Sequence, residues 1–125
     1  MNIVDSTLWL EYFAGSEAGD SISEVIENPN ELIVPTITIY EVFKKLLYEK
    51  SEDDALYAIA HMKQGKVIDL NDDLSLSAGR ISKDRKLPMA DSIIYATTLK
   101  YNCIIWTQDK HFIGLMYVNY FEKIK

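Results

Sequence analysis

Apolar residues in this chain fall into two alternating patterns, short unbroken runs and longer stretches with helical spacing. Residues 2–5 form a short apolar run closed by Asp5 and read as a buried strand. Trp9, Leu10 and Phe13 then recur at helical spacing, with Ser6 or Thr7 available as a cap and Gly15 as the stop. Ile22, Val25 and Ile26 share one face of a second helix over Ser16–Glu27, and Asn28-Pro29-Asn30 is a turn. Leu32-Ile33-Val34 reads as a second buried strand that Pro35 ends. Thr36 or Thr38 opens the next helix, with Ile39, Val42, Phe43, Leu46 and Leu47 turned inward. Ser51 followed by Asp54 resembles a capped start, and Leu56, Ile59, Ala60 and Met62 follow it. Residues 66–70 are a third strand, and Asn71 caps a helix carrying Leu74, Ala78 and Ile81. Pro88, in the first-position role that proline favours, opens a helix reaching about Asn102. Residues 103–106 are a fourth strand, and residues 118–121 a fifth, on an edge.

Short apolar strands alternating with helices predict an α/β fold, a single domain over residues 1–125. Its centre is a mostly parallel sheet of four to five strands flanked by helices. In such sheets ligands bind beyond the carboxyl ends of the strands. Asp5 ends the first strand and Asp109 lies just after the fourth, so both acids fall where a ligand is expected.

Composition narrows the function. The chain has 125 residues, 48% hydrophobic and 26% charged, enough apolar material for one core. No apolar run approaches the ~20 residues a membrane helix needs. The N-terminus lacks the basic start and long apolar stretch of a signal peptide, so a cytoplasmic protein is expected. The single cysteine, Cys103, sits in the run Cys103-Ile104-Ile105-Trp106 and reads as core. A net charge of −6 argues against holding nucleic acid on a general basic surface. It is compatible with an acidic cleft neutralised by metal ions.

Four acids are candidates for such a cleft: Asp5, Glu41, Asp91 and Asp109. Each alone has a structural reading, as a strand-end residue, a solvated helix residue, a complement to the helix dipole, or a turn residue. Together they make a different case. Magnesium takes oxygen ligands, usually one or two carboxylates with waters and substrate phosphate. Phosphodiester hydrolysis needs an activated water and a counter-charge for the growing negative charge, and such an ion supplies both.

The motifs around these acids resemble the PIN domain, in particular the VapC-type toxin ribonucleases. Ile3-Val4-Asp5-Ser6-Thr7-Leu8-Trp9-Leu10 resembles the opening block, an Asp closing the first strand and followed by a hydroxyl residue. Thr36-Ile37-Thr38-Ile39-Tyr40-Glu41-Val42 resembles the second, with its helix-borne Glu. Pro88-Met89-Ala90-Asp91-Ser92-Ile93-Ile94-Tyr95-Ala96-Thr97 resembles the third and is the most specific. Ile105-Trp106-Thr107-Gln108-Asp109-Lys110-His111-Phe112 resembles the last, a strand running into Thr-x-Asp-x-x-Phe. The blocks follow family order across nearly the whole chain, whereas residues 51–87 carry no family motif.

The resemblance implies a PIN-like domain with Mg2+-dependent ribonuclease activity, Mn2+ being an alternative ion in vitro. It implies Asp5 and Asp91 as principal metal ligands. Glu41 and Asp109 would complete the pocket, binding a second ion or holding water. Ser6 and Thr107 would orient carboxylates through hydrogen bonds. It also implies an RNA substrate, a cognate antitoxin that silences the protein, and a homodimer.

Arg80, Lys83, Arg85 and Lys86 are the densest basic stretch and lead into the Asp91 helix. They are candidate RNA-phosphate contacts or simply a solvated helix face. Lys44 and Lys45, one turn past Glu41, are a second such candidate. His61 and His111 share no metal-ligand spacing and have no partner ligands for zinc; His111 adjoins Asp109 and is a candidate substrate contact, though it reads first as solvated. The residues leave three functions open: a toxin ribonuclease, a housekeeping RNA-processing nuclease of the same fold, and an acidic docking module without chemistry.

Overall fold

The computed structural model describes residues 1–123. Its strands are β1 (Asn2–Val4), β2 (Leu32–Pro35), β3 (Lys66–Ile68), β4 (Ile104–Thr107) and β5 (Val118–Tyr120). Its helices are α1 (Ser6–Ala14), α2 (Glu17–Ile26), α3 (Thr36–Glu49), α4 (Glu52–Met62), α5 (Asp72–Arg85) and α6 (Met89–Lys100). All strand pairings are parallel, in the order β3-β2-β1-β4-β5. The expected sheet is thus present with all five strands, and β5 lies at an edge. No helix among the described residues is long and apolar enough to cross a membrane.

Alternation along the strands divides the core into two layers. Val4, Leu32 and Val34 pack with Leu8 and Trp9 of α1, Ile22 of α2, Val42 of α3 and Met62 of α4. Ile3, Ile33 and Ile105 point the other way, onto Ile94 and Tyr95 of α6 and onto Phe112. Helix α5 adds an outer layer, with Leu74 and Ala78 against Ile93 and Ala96. Helix α6 is therefore buried along its whole middle, from Asp91 to Thr98. Its polar residues are satisfied internally: the Thr97 and Thr98 hydroxyls donate to the carbonyls of Ile93 and Ile94 at 2.8 and 2.9 Å.

Helix starts follow the sequence closely. The side chains of Ser16, Ser51 and Asn71 accept from the backbone N–H of Gly19, Asp54 and Leu74. Three expectations are corrected. Asp5, not Ser6 or Thr7, caps α1, because the chain leaves the sheet one residue earlier and the carboxylate reaches the Ser6 amide. Pro88 is the cap of α6 rather than its first residue. Strand β3 stops at Ile68 rather than Leu70, so residues 69–70 lie outside the ladder.

Two glycines permit the tight corner between α1 and α2. Gly15 ends α1 at φ 69°, a left-handed conformation that side chains disfavour. Gly19 lies against α1 so closely that a Cβ would meet the Glu11 carbonyl oxygen and sit 2.7 Å from the Tyr12 Cα. Gly19→Ala should therefore cost about 1–3 kcal/mol in thermal or denaturant unfolding. Gly79, in α5, has nothing within 4 Å of a built Cβ. Gly79→Ala should leave stability unchanged or raise it by about 0.4–1 kcal/mol. Equal effects of the two substitutions would contradict the close α1–α2 approach.

Candidate metal centre

The sheet order reverses between β1 and β4, because β1 pairs with β2 on one side and β4 on the other. At such a switch point the helices that follow adjacent strands leave toward opposite faces, which opens a crevice at the carboxyl ends. Register places Val4 beside Trp106, so the residues after them, Asp5 and Thr107, meet at that crevice. The Asp5 amide donates to the Trp106 carbonyl at 2.9 Å and extends the pairing one step.

Asp5 is 3% exposed, and protein donors hold both of its oxygens. The Ser6 amide donates to Oδ1 at 2.8 Å and the Thr107 hydroxyl to Oδ2 at 2.7 Å. The Thr107 oxygen in turn accepts from the Asp109 amide at 2.9 Å, which ties the loop after β4 to the end of β1. Asp109 then accepts from the His111 amide at 2.9 Å and caps the 3-10 turn Lys110–Phe112. That turn carries the His111 ring back over the cluster. Its Nδ1 lies 2.8 Å from Asp109 Oδ1 and 3.1 Å from Asp91 Oδ2. One ligand atom from each of Asp91, Asp109 and His111 lies within 4.8 Å of the others.

Electrostatics connect the remaining acids. Burial pushes the Asp91 carboxyl up to about 7, helped by a hydrogen bond to Asp109 and by the charges of Asp109 and Asp5, with His111 opposing. Burial raises Asp5 above the ordinary carboxylate range, the bonds from Thr107 and Ser6 resist the rise, and Asp109 adds to it. Glu41, half-buried in the second turn of α3, is raised by burial and then by the Asp5 charge. The structure therefore brings all four predicted acids, together with Ser6 and Thr107, into one crevice. Their mutual repulsion and oxygen-rich donor set suit a hard divalent cation. Beside them in sequence, the hydroxyl of Thr7 and the amide oxygen of Gln108 are buried without a hydrogen-bond partner among the described residues.

A PIN domain family model matches residues 3–115. The chain belongs to the PIN domain family. No curated protein sequence matches it. Solved structures match its fold over nearly its whole length. A toxin–antitoxin complex from Klebsiella pneumoniae is 21% identical, covering 95% of this chain and 96% of the other, with a TM-score of 0.79. VapBC2 of Rickettsia felis bound to a promoter DNA fragment is 10% identical, covering 97% and 98%, with a TM-score of 0.75. The sarcin-ricin-loop-cleaving toxin VapC20 of Mycobacterium tuberculosis is 16% identical, covering 94% and 98%, with a TM-score of 0.72.

One sequence reading of this PIN domain changes with the geometry. His111 is exposed but bridges Asp91 and Asp109, so the solvated reading is replaced by a place in the site. Its spacing from Asp109 was the available signal, since a 3-10 turn returns a side chain that soon after its cap. The basic stretch lies elsewhere. Arg80 and Arg85 line a separate cleft with Tyr95, Leu99, Met116 and Tyr117, and none of the four acids lines it. Lys83 and Lys86 are exposed at the end of α5.

Because the folded Asp91 carboxyl holds its proton more tightly than the unfolded chain does, its stabilisation is complete below the ordinary value of 3.8 and is lost as pH rises through about 7. Asp5 and Glu41 are shifted in the same direction. The melting midpoint of the metal-free protein should therefore fall between about pH 4 and about pH 7, and Asp91→Asn should flatten that fall. A wild-type midpoint independent of pH would contradict the crowded cluster. Thr107→Val removes a donor to buried Asp5 and an acceptor for the Asp109 amide. It should cost about 1–3 kcal/mol, more at high pH, where Asp5 is ionised.

Proposed function

We propose that this PIN domain is a metal-dependent endoribonuclease and the toxin of a type II toxin–antitoxin pair, acting in the cytoplasm. The observation that carries the reading is the convergence of Asp5, Glu41, Asp91 and Asp109, from four separate segments, on the crevice at the sheet's switch point. Asp5 and Asp91, with Glu41 and Asp109 completing the pocket, would hold Mg2+. When bound, that ion supplies the counter-charge and the acidified water that phosphodiester hydrolysis requires. The chain's own groups do the positioning. Thr107 and the Ser6 amide fix the Asp5 carboxylate, and Thr107 sets the start of the loop that presents Asp109. Likeness to a toxin–antitoxin complex and to a sarcin-ricin-loop-cleaving toxin supports the toxin role over a housekeeping one. An antitoxin would silence the site by placing a basic side chain among the acids, where charge-assisted hydrogen bonds replace the cation. A homodimer is part of the same reading.

Purified protein should cleave single-stranded RNA in Mg2+ and at least as fast in Mn2+, and chelator should abolish cleavage. Asp5→Asn and Asp91→Asn should each fall to the chelated level, and Thr107→Val should lose roughly 10–100-fold in metal affinity or rate. Induced expression should arrest growth, and co-expression of the neighbouring reading frame should relieve the arrest. Cleavage that survives chelation, or an Asp91→Asn protein as active as wild type, overturns the reading.

A further inference from the structure

A second cleft, of about 550 Å³, opens beside the acids between α3 and the start of α6. Glu41 and Ala90, the neighbour of Asp91, form its inner edge. Its outer wall is a strip of α3, with Tyr40, Lys44 and Tyr48 at successive turns and Lys45 alongside, and Met89 stands opposite. Tyr40 and Tyr48 are 50% and 82% exposed and Met89 is 73% exposed, so none of them is there to fill the core. The Lys44 ammonium lies over the Tyr40 ring, 5.8 Å from its centre. Lys45 is tied to Glu49 at 3.0 Å one turn on.

We propose that this strip is the track for the RNA strand next to the scissile bond, with bases stacking on Tyr40 and Tyr48 and phosphates meeting Lys44 and Lys45. The proposal rests on the ribonuclease reading and names how that site grips its substrate. Three features favour a nucleic-acid strand. Aromatic rings alternating with cations along one face match the alternation of bases and phosphates in an unpaired strand. The lysines stand on a protein of net charge −6, where general attraction for phosphate is absent and a local grip is needed. The cleft is continuous with Glu41, so a strand lying in it runs into the acids. Bases within a duplex are unavailable for such stacking, which makes single-stranded or looped RNA the substrate class.

The test uses a fluorescein-labelled, mixed-sequence, single-stranded oligoribonucleotide and its duplex. Anisotropy is read in calcium, which offers the carboxylates a hard cation. Cleavage is read in Mn2+. Wild type should prefer the single strand. Tyr40→Ala and Tyr48→Ala should each weaken binding and raise KM roughly tenfold while kcat at saturation holds. Tyr48→Phe, which keeps the ring, should retain affinity. Lys44→Gln should reduce the slope of log affinity against log salt by about 0.7. If wild type cleaves RNA and the alanine variants bind and cleave like it, the track is overturned and the nuclease reading stands. If wild type cleaves nothing but the variants lose single-strand binding, the nuclease reading fails and the track stands. Variants that keep RNA affinity but no longer co-purify with the neighbouring reading frame's product make the strip a protein-docking face and overturn the proposal.

Discussion

The register between β1 and β4 is the constraint on which the rest of the crevice depends. Pairing Val4 with Trp106 brings Asp5 beside Thr107, and the Thr107 hydroxyl then serves two partners. It gives its proton to a carboxylate that burial would otherwise leave uncompensated, and its oxygen receives the Asp109 amide. A shift of one residue would turn the opposite faces of β4 toward each core layer and carry Thr107 away from Asp5. Core packing and site geometry are thus fixed by the same few strand residues.

The consequence is a cluster held together by groups that repel one another. Several carboxyls are raised above their ordinary range, and Asp91 holds its proton to about neutrality. His111 partly offsets that repulsion, its ring Nδ1 lying 2.8 Å from Asp109 and 3.1 Å from Asp91. A divalent cation would do the same more completely, and protons and metal would then compete for the same oxygens. The fold tolerates this because α6 is anchored along its whole middle by burial, its buried threonine hydroxyls being satisfied within the helix.

Much of this was legible in the sequence, and the reasons are physical. Strand and helix periods, the Ser51 and Asn71 caps, and the position of Asp5 at a strand end are local signals, and the structure follows them. The four acids were found through the motifs around them, which a fold-wide alternation of strands and helices does not by itself encode. Two things were hidden. His111 joins Asp91 through a contact between distant segments, which no periodicity records. The cap of α1 went to Asp5 because its carboxylate is held at the carboxyl end of the central strands by Thr107, a partner 102 positions away. The basic stretch after Arg80 was conspicuous by density, yet charge density along a helix does not say which crevice that helix faces.

That long separation has a consequence for how the protein is made. Trp106 also donates to the Asn2 side chain, 104 positions back, so two side-chain bonds add to the backbone ladder that joins the first and fourth strands across almost the whole chain. A growing chain emerging from the ribosome carries Asp5 and Glu41 early but has nothing to hold them against. The crevice closes only when residues 104–111 arrive, after the largest loop-closure entropy the fold must overcome. A chain that stops before β4 lacks Thr107 and Asp109 and therefore cannot assemble the crevice.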